Sequence, residues 1–225
     1  MRKLLIVTLL LFTANCALMA QSGEIGIGVG STNYRGEISP KYDFYFQRPA
    51  GMLFYRHNFS PIFSLRGSFM VGMLSATNQR YSDALSQFRP LKFNATVYEG
   101  ALMPEYNFFN FRGKNNIPKA TFYFTAGLAF YRYTTSAPQI EAGGPPSFSM
   151  AIPMGFGMKA MLGDLTNIGL EFGARKTFDD YFDGVSDTFG NGIQRGFRYD
   201  YDWYYFAGVS ISYIIYKISC PYFTY

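Results

Sequence analysis

Eight stretches of this chain alternate large apolar residues with small or polar ones, and the separators between them run long, short, long, short, long, short, long. Alternation with a period of two is the mark of a strand with two unlike faces. A regular alternation of long and short connections confines the chain further, to up-and-down neighbours whose short turns all fall at one end.

The first segment, about Glu24 to Ser31, sets Ile25, Ile27 and Val29 against Gly26, Gly28 and Gly30, and a long separator follows from Thr32 to about Arg48. The second, Gly51 to Asn58, places Arg56 inward and is joined by Phe59-Ser60-Pro61 to the third. There Phe63, Leu65, Gly67, Phe69, Val71 and Met73 oppose Ser64, Arg66, Ser68, Met70 and Gly72. Segment four, Phe93 to about Phe108, sets Tyr98, Leu102, Tyr106 and Phe108 against Glu99 and Glu105. Segment five sets Phe122, Phe124, Ala126, Leu128 and Phe130 against Thr121, Tyr123, Thr125, Gly127 and Ala129. In segment six Met150, Ile152, Met154, Phe156 and Met158 oppose Gly155, Gly157 and Lys159. Leu170, Phe172 and Ala174 oppose Glu171 and Arg175 in segment seven, and segment eight runs from Trp203 to Tyr216. Pro104 and Pro153 fall inside segments four and six, and since proline cannot donate to a ladder, bulges or segment ends are expected there.

The expected fold is all-β: an eight-stranded antiparallel up-and-down transmembrane β-barrel with four longer extracellular loops and short periplasmic turns. Composition agrees, with 24 Phe, 19 Tyr and 23 Gly. Aromatic rings suit a surface that meets lipid and head groups, and glycine relieves crowding where strands pack closely. Residues 1–20 read as a cleaved secretory signal peptide: Met1-Arg2-Lys3 precedes an apolar run from Leu4 to Phe12 that is too short to cross a bilayer as a helix. Residues 21–225 then form the barrel domain. A lipidated Cys16 is the rival processing, and Asn15 before it fits that poorly.

Loss of Arg2 and Lys3 takes the 20 basic residues to 18, against 15 acidic ones. Without a basic run or a groove-reading motif, nucleic acid is not an expected partner. Cys220 is the one cysteine left of the two, which excludes an intramolecular disulfide and a cysteine-rich metal site. The Gly26, Gly28, Gly30 series opens no helix, so it is not a dinucleotide fingerprint. No cofactor is expected.

The inward faces collect Arg66, Lys159 and Arg175 against Glu99, Glu105 and Glu171. Eight strands enclose a lumen that side chains fill, so these charges are expected to form a paired plug, with an ion or proton path as the alternative. His57, the single histidine, sits beside a short turn with no acid fixed nearby by sequence; a barrel enzyme that modifies lipid would need it as its base. Asp179, Asp180, Asp183 and Asp187 crowd the fourth long loop. Their spacing is not that of an EF-hand, and pairing with Lys176, Arg195 and Arg198 is the default over calcium.

Four words of the sequence carry a family likeness: Tyr34-Arg35-Gly36-Glu37-Ile38, Pro104-Glu105-Tyr106-Asn107-Phe108, Ile152-Pro153-Met154-Gly155-Phe156-Gly157-Met158-Lys159, and the run from Arg175 to Ser186. In that last run Thr177, Phe178, Asp179, Asp180, Tyr181, Asp183 and Ser186 form the most specific motif. The chain resembles a family of small outer-membrane β-barrels that includes the PorG-type component of the type IX secretion system. The resemblance implies a non-enzymatic barrel in the bacterial outer membrane, a scaffold or anchor with outer-membrane lipid and periplasmic secretion-complex proteins as partners. An orphan structural or adhesive barrel of the OmpA-like kind, a lipid-modifying barrel enzyme and a soluble ligand-binding barrel are the alternatives.

Overall fold

The computed structural model describes residues 22–35, 47–77, 92–111, 119–135, 148–178 and 203–216. They form strands β1 (Ser22–Arg35), β2 (Arg48–Asn58), β3 (Phe63–Thr77), β4 (Lys92–Asn107), β5 (Ala120–Ala126), β6 (Leu128–Thr135), β7 (Ser149–Met161), β8 (Thr166–Thr177) and β9 (Trp203–Tyr216). Every pairing is antiparallel, and β1 pairs with both β2 and β9, so the sheet closes on itself. Closure leaves no edge whose backbone groups would need water.

Nine strands make eight walls, because β5 and β6 are two halves of one. Both pair with β4 and both with β7, and the registers continue across the gap: Glu105 faces Thr125 and Leu102 faces Leu128, while Ala126 faces Met154 and Ala129 faces Ala151. Here the expectation of bulges or segment ends at the two prolines is corrected. Pro104 and Pro153 lie inside continuous strands without an inserted residue; the interruption falls on the neighbour between them. The Gly127 amide donates to the Pro153 carbonyl at 3.0 Å, and proline has no N–H to return the bond. The Phe108 amide reaches Phe122 at 3.0 Å. Donor direction repeats every second residue, so Pro104 also turns its missing N–H toward this strand, next to Ala126. Two absent donors at adjacent positions break the ladder there.

The first strand is longer than its alternation suggests. Thr32 to Arg35, expected in a separator, continue β1 opposite Phe206 to Trp203. Thr32, Asn33 and Tyr34 are all buried, and the Thr32 hydroxyl donates to the carbonyl of Met73. Polar residues held by hydrogen bonds extend the strand without an apolar period to reveal it.

The molecule is apolar outside. Val29 is 63% and Leu102 56% exposed, in a belt with Leu53, Phe69, Leu128 and Val209. A contiguous apolar girdle of this kind faces lipid rather than water. Aromatic rings mark its turn end, where Tyr106 meets Phe108 edge-on at 5.4 Å and Phe122 stacks on Phe156 at 5.8 Å. We expect Leu102→Arg, on the outward face of β4, to lower the unfolding free energy by about 2–4 kcal/mol. Urea titration in lipid vesicles measures this, and an unchanged midpoint would count against a lipid-facing belt.

Inside, Met52, Phe54, Met70, Val97, Met103, Tyr131, Tyr204 and Phe206 fill the bore together with the charged residues. Glycine makes room for them. At Gly26 a Cβ would stand 2.3 Å from the Phe54 ring, and at Gly157 it would stand 2.6 Å from the Tyr123 ring.

Candidate functional site: the charged lumen

Even positions on β1, β2, β3 and odd positions on β4, β7 and β8 point into the bore, which brings six distant segments onto one cluster. Its centre is Glu105, fully buried on β4. Arg56 donates to it from Nε at 2.7 Å and Nη2 at 3.3 Å, and Lys159 donates from Nζ at 2.5 Å. Arg66 Nε stands 3.1 Å from the other oxygen, an ion contact without hydrogen-bond alignment.

The cluster then spreads around the wall. Arg66 makes a forked contact with Glu171, Nη2 donating to Oε1 at 3.0 Å and Nη1 to Oε2. Such a fork fixes both planes at once. The Tyr123 hydroxyl donates to Glu171 at 2.7 Å. On the other side Arg56 Nη1 reaches Glu24 at 2.6 Å, and Glu24 also accepts from Asn167 at 3.1 Å and from Ser212. Lys159 Nζ lies 4.3 Å from the centre of the Tyr123 ring. A second, smaller group lies toward the longer connections: Arg175 Nε is 3.4 Å from Glu99, Tyr204 donates to the same carboxylate, and the guanidinium lies 5.3 Å over Phe206.

Four cations, Arg56, Arg66, Lys159 and Arg175, thus meet four carboxylates, Glu24, Glu99, Glu105 and Glu171. Equal numbers matter because an uncompensated charge at membrane depth is expensive. Between Glu105 and Glu99 the inward residues of β4 are Met103 and Ala101, both buried. Phe54 covers the larger cluster, 4.9 Å from the Arg56 guanidinium carbon. The arrangement tethers walls to one another through ions and separates the two ionic groups with apolar side chains.

All six charged residues singled out from the sequence, Arg66, Glu99, Glu105, Lys159, Glu171 and Arg175, are buried in the bore. Sequence reasoning left out Glu24, although its parity with Gly26 and Gly28 already put it on the inward face. It also left out the neutral partners Tyr123, Asn167, Tyr204 and Ser212, whose roles depend on which strand faces them across the lumen. Of the loop motif, Thr177 is buried at the end of β8, and Phe178 is exposed with its amide bonded to the Met150 carbonyl at 3.1 Å. Asp179, Asp180, Tyr181, Asp183 and Ser186 lie outside the described residues, as do the candidate calcium ligand Asp187 and the predicted signal peptide. Among the described residues no group of three or more potential metal ligands occurs. His57 is half-buried beside the turn between β2 and β3, with its ring edge-on to Phe59 at 4.6 Å.

The architecture is similar to that of solved small barrels. Ail, the attachment invasion locus protein of Yersinia pestis, superposes with a TM-score of 0.50 at 12% identity, over 88% of this chain and 100% of that one. Neisserial surface protein A superposes with a TM-score of 0.48 at 8% identity, over 87% and 97%. The outer membrane protein OprG from Pseudomonas aeruginosa gives 0.48 at 8% identity, over 88% and 97%. No curated protein shows significant sequence similarity to the chain. The family model described as a domain of unknown function, DUF6089, matches residues 2–223, and the chain therefore belongs to the DUF6089 family and has the fold of an outer-membrane β-barrel.

Proposed function

We propose that this protein is a non-enzymatic barrel of the bacterial outer membrane that serves as a scaffold or anchor in a type IX secretion complex. The observation that carries the reading is the filled lumen. Among the described residues the bore is occupied by Glu105 and its three cations beside Phe54, an arrangement that favours contacts at the two ends of the barrel over transport through it. The apolar belt supports a membrane location, and the likeness of the motifs at Tyr34–Ile38 and Arg175–Ser186 to the PorG-type family supports the secretion complex and its periplasmic proteins as partners.

Lipid-modifying chemistry is disfavoured by the placement of His57. A general base needs an orienting partner within hydrogen-bond reach. Among the described residues its close contact is the Phe59 ring. An orphan structural barrel is the second reading, favoured by a lumen whose charges balance within the chain itself.

Deleting the gene and counting which secreted proteins stay in the cell decides between the two. We expect type IX cargo to be retained in the periplasm while general outer-membrane assembly continues. Normal export of that cargo would leave the orphan structural barrel.

A further inference from the structure

The break in the wall leaves two backbone oxygens short of a donor at the depth where a membrane tolerates this least. Gly127 donates its N–H to the Pro153 carbonyl at 3.0 Å, one half of a paired exchange whose other half would run from residue 153 back to the Gly127 carbonyl. Pro153 has no N–H to complete it. On the other side the Phe108–Phe122 bond sets the phase, and Pro104, four residues along, leaves the Ala126 carbonyl without its ladder donor too. The neighbouring hydroxyl does not repair this, because Thr125 donates to the Pro104 carbonyl at 2.9 Å. No other side chain among the described residues donates to either oxygen.

Ala126 is the middle one of the five outward residues Phe122, Phe124, Ala126, Leu128 and Phe130, so both oxygens lie near the centre of the lipid-facing belt. The side chains there are short. Pro104 and half-buried Ala126 form a hollow flanked by the exposed Leu102, Tyr106, Phe124, Leu128 and Phe156. Interrupted backbone at membrane depth is tolerated where it is buried in protein or lines a water-filled cavity. The inner side is packed rather than wet: Met103 is buried, and a Cβ on Gly127 would stand 2.9 Å from its Cγ. On the lipid side acyl chains have no donor to offer, and head groups stay at the edges of the hydrocarbon. A hydroxyl or amide on an adjacent membrane-spanning segment can donate at this depth.

We propose that this hollow is a docking surface for a transmembrane segment of a partner protein, apolar along its length, with a hydroxyl or amide side chain at mid-depth that donates to the Ala126 or Gly127 carbonyl. The inference deepens the scaffold reading and rests on it for the membrane location. The Ala126 oxygen faces β4 and the Gly127 oxygen faces β7, so the two acceptors flank the wall formed by β5 and β6.

The test titrates the full-length barrel, folded in lipid vesicles, with two fluorescent polyleucine transmembrane peptides, one with a central serine and one without, and reads association by energy transfer. The serine peptide should bind about fivefold more tightly. Pro104→Val combined with Pro153→Val returns both N–H groups to the ladder and should abolish that preference. Ala126→Leu leaves the ladder as it is, fills the hollow, and should weaken the serine peptide by a similar factor. Gly51→Ala on β2, where a Cβ would meet nothing within 4 Å, should leave binding unchanged. Heat-modifiable gel mobility is read on every variant first, and its absence in the wild type would overturn the barrel reading and the surface with it. A folded wild type that binds both peptides equally overturns the surface alone. So does a serine preference that survives the two valines or Ala126→Leu. Self-association of the barrel that the two valines abolish would assign the hollow to a second copy of this chain and overturn the partner segment.

Discussion

Glu105→Ala should unfold the barrel at markedly lower urea, with a loss of roughly 3–5 kcal/mol. The carboxylate is fully buried and meets Arg56, Arg66 and Lys159 at 2.7, 3.1 and 2.5 Å. Removing it leaves three cations facing one another in a buried bore, and Lys159 loses the carboxylate that it pairs with among the described residues. Arg66→Ala should fall in the same range, because Glu171 then keeps only the Tyr123 hydroxyl among its described close donors. Truncating both members of a pair should cost less than the sum of the single losses, since neither charge is then left uncompensated. Tryptophan fluorescence of Trp203 during urea titration in vesicles follows the transition. A wild-type midpoint for Glu105→Ala would mean that water reaches the cluster and that the lumen is not a plug.

Gly127→Ala should rival that loss, for a reason of space rather than charge. A Cβ at this position would stand 2.2 Å from the Leu102 carbonyl oxygen and 2.8 Å from the Met103 Cα, both backbone atoms that cannot swing aside. Overpacking a close-packed site costs typically 1–3 kcal/mol and more where the backbone must move, and here the ladder is already broken by Pro104 and Pro153. The matched control is Gly67→Ala on the outward face of β3, where a Cβ would meet nothing within 4 Å. That change should be neutral or stabilising by about 0.5–1 kcal/mol, since it removes backbone freedom from the unfolded chain. Folding yield into vesicles, scored by heat-modifiable mobility, separates the two. Equal yields would show that the wall between the prolines yields easily.

The alternation of apolar with small or polar residues was sufficient to place the faces of the strands. Ile25 and Ile27 outward, Gly26 and Gly28 inward, and Glu99 and Glu105 both in the bore follow from parity alone, because a strand turns every second side chain to the same side. The length pattern of the separators carried the topology, since consecutive antiparallel neighbours joined by turns close into a ring in only one order. What parity does not carry is distance around that ring. Glu105 and Arg56 are 49 residues apart, and Glu24 and Ser212 are 188 apart. Their meeting depends on the register of every pairing between them, which a one-residue slip would undo. The site of the strand break was hidden for the same reason: each proline is legible in its own segment, but the weak point lies in the strand that both face.

By itself, then, the sequence determined a closed barrel with an apolar outside, a crowded inside and charges among its inward residues, because the period of two and the rhythm of the connections are local properties of the chain. Only the tertiary structure decided which charge meets which and that Glu24 belongs to the plug, because those facts arise when the first and last strands pair and the wall curves back on itself.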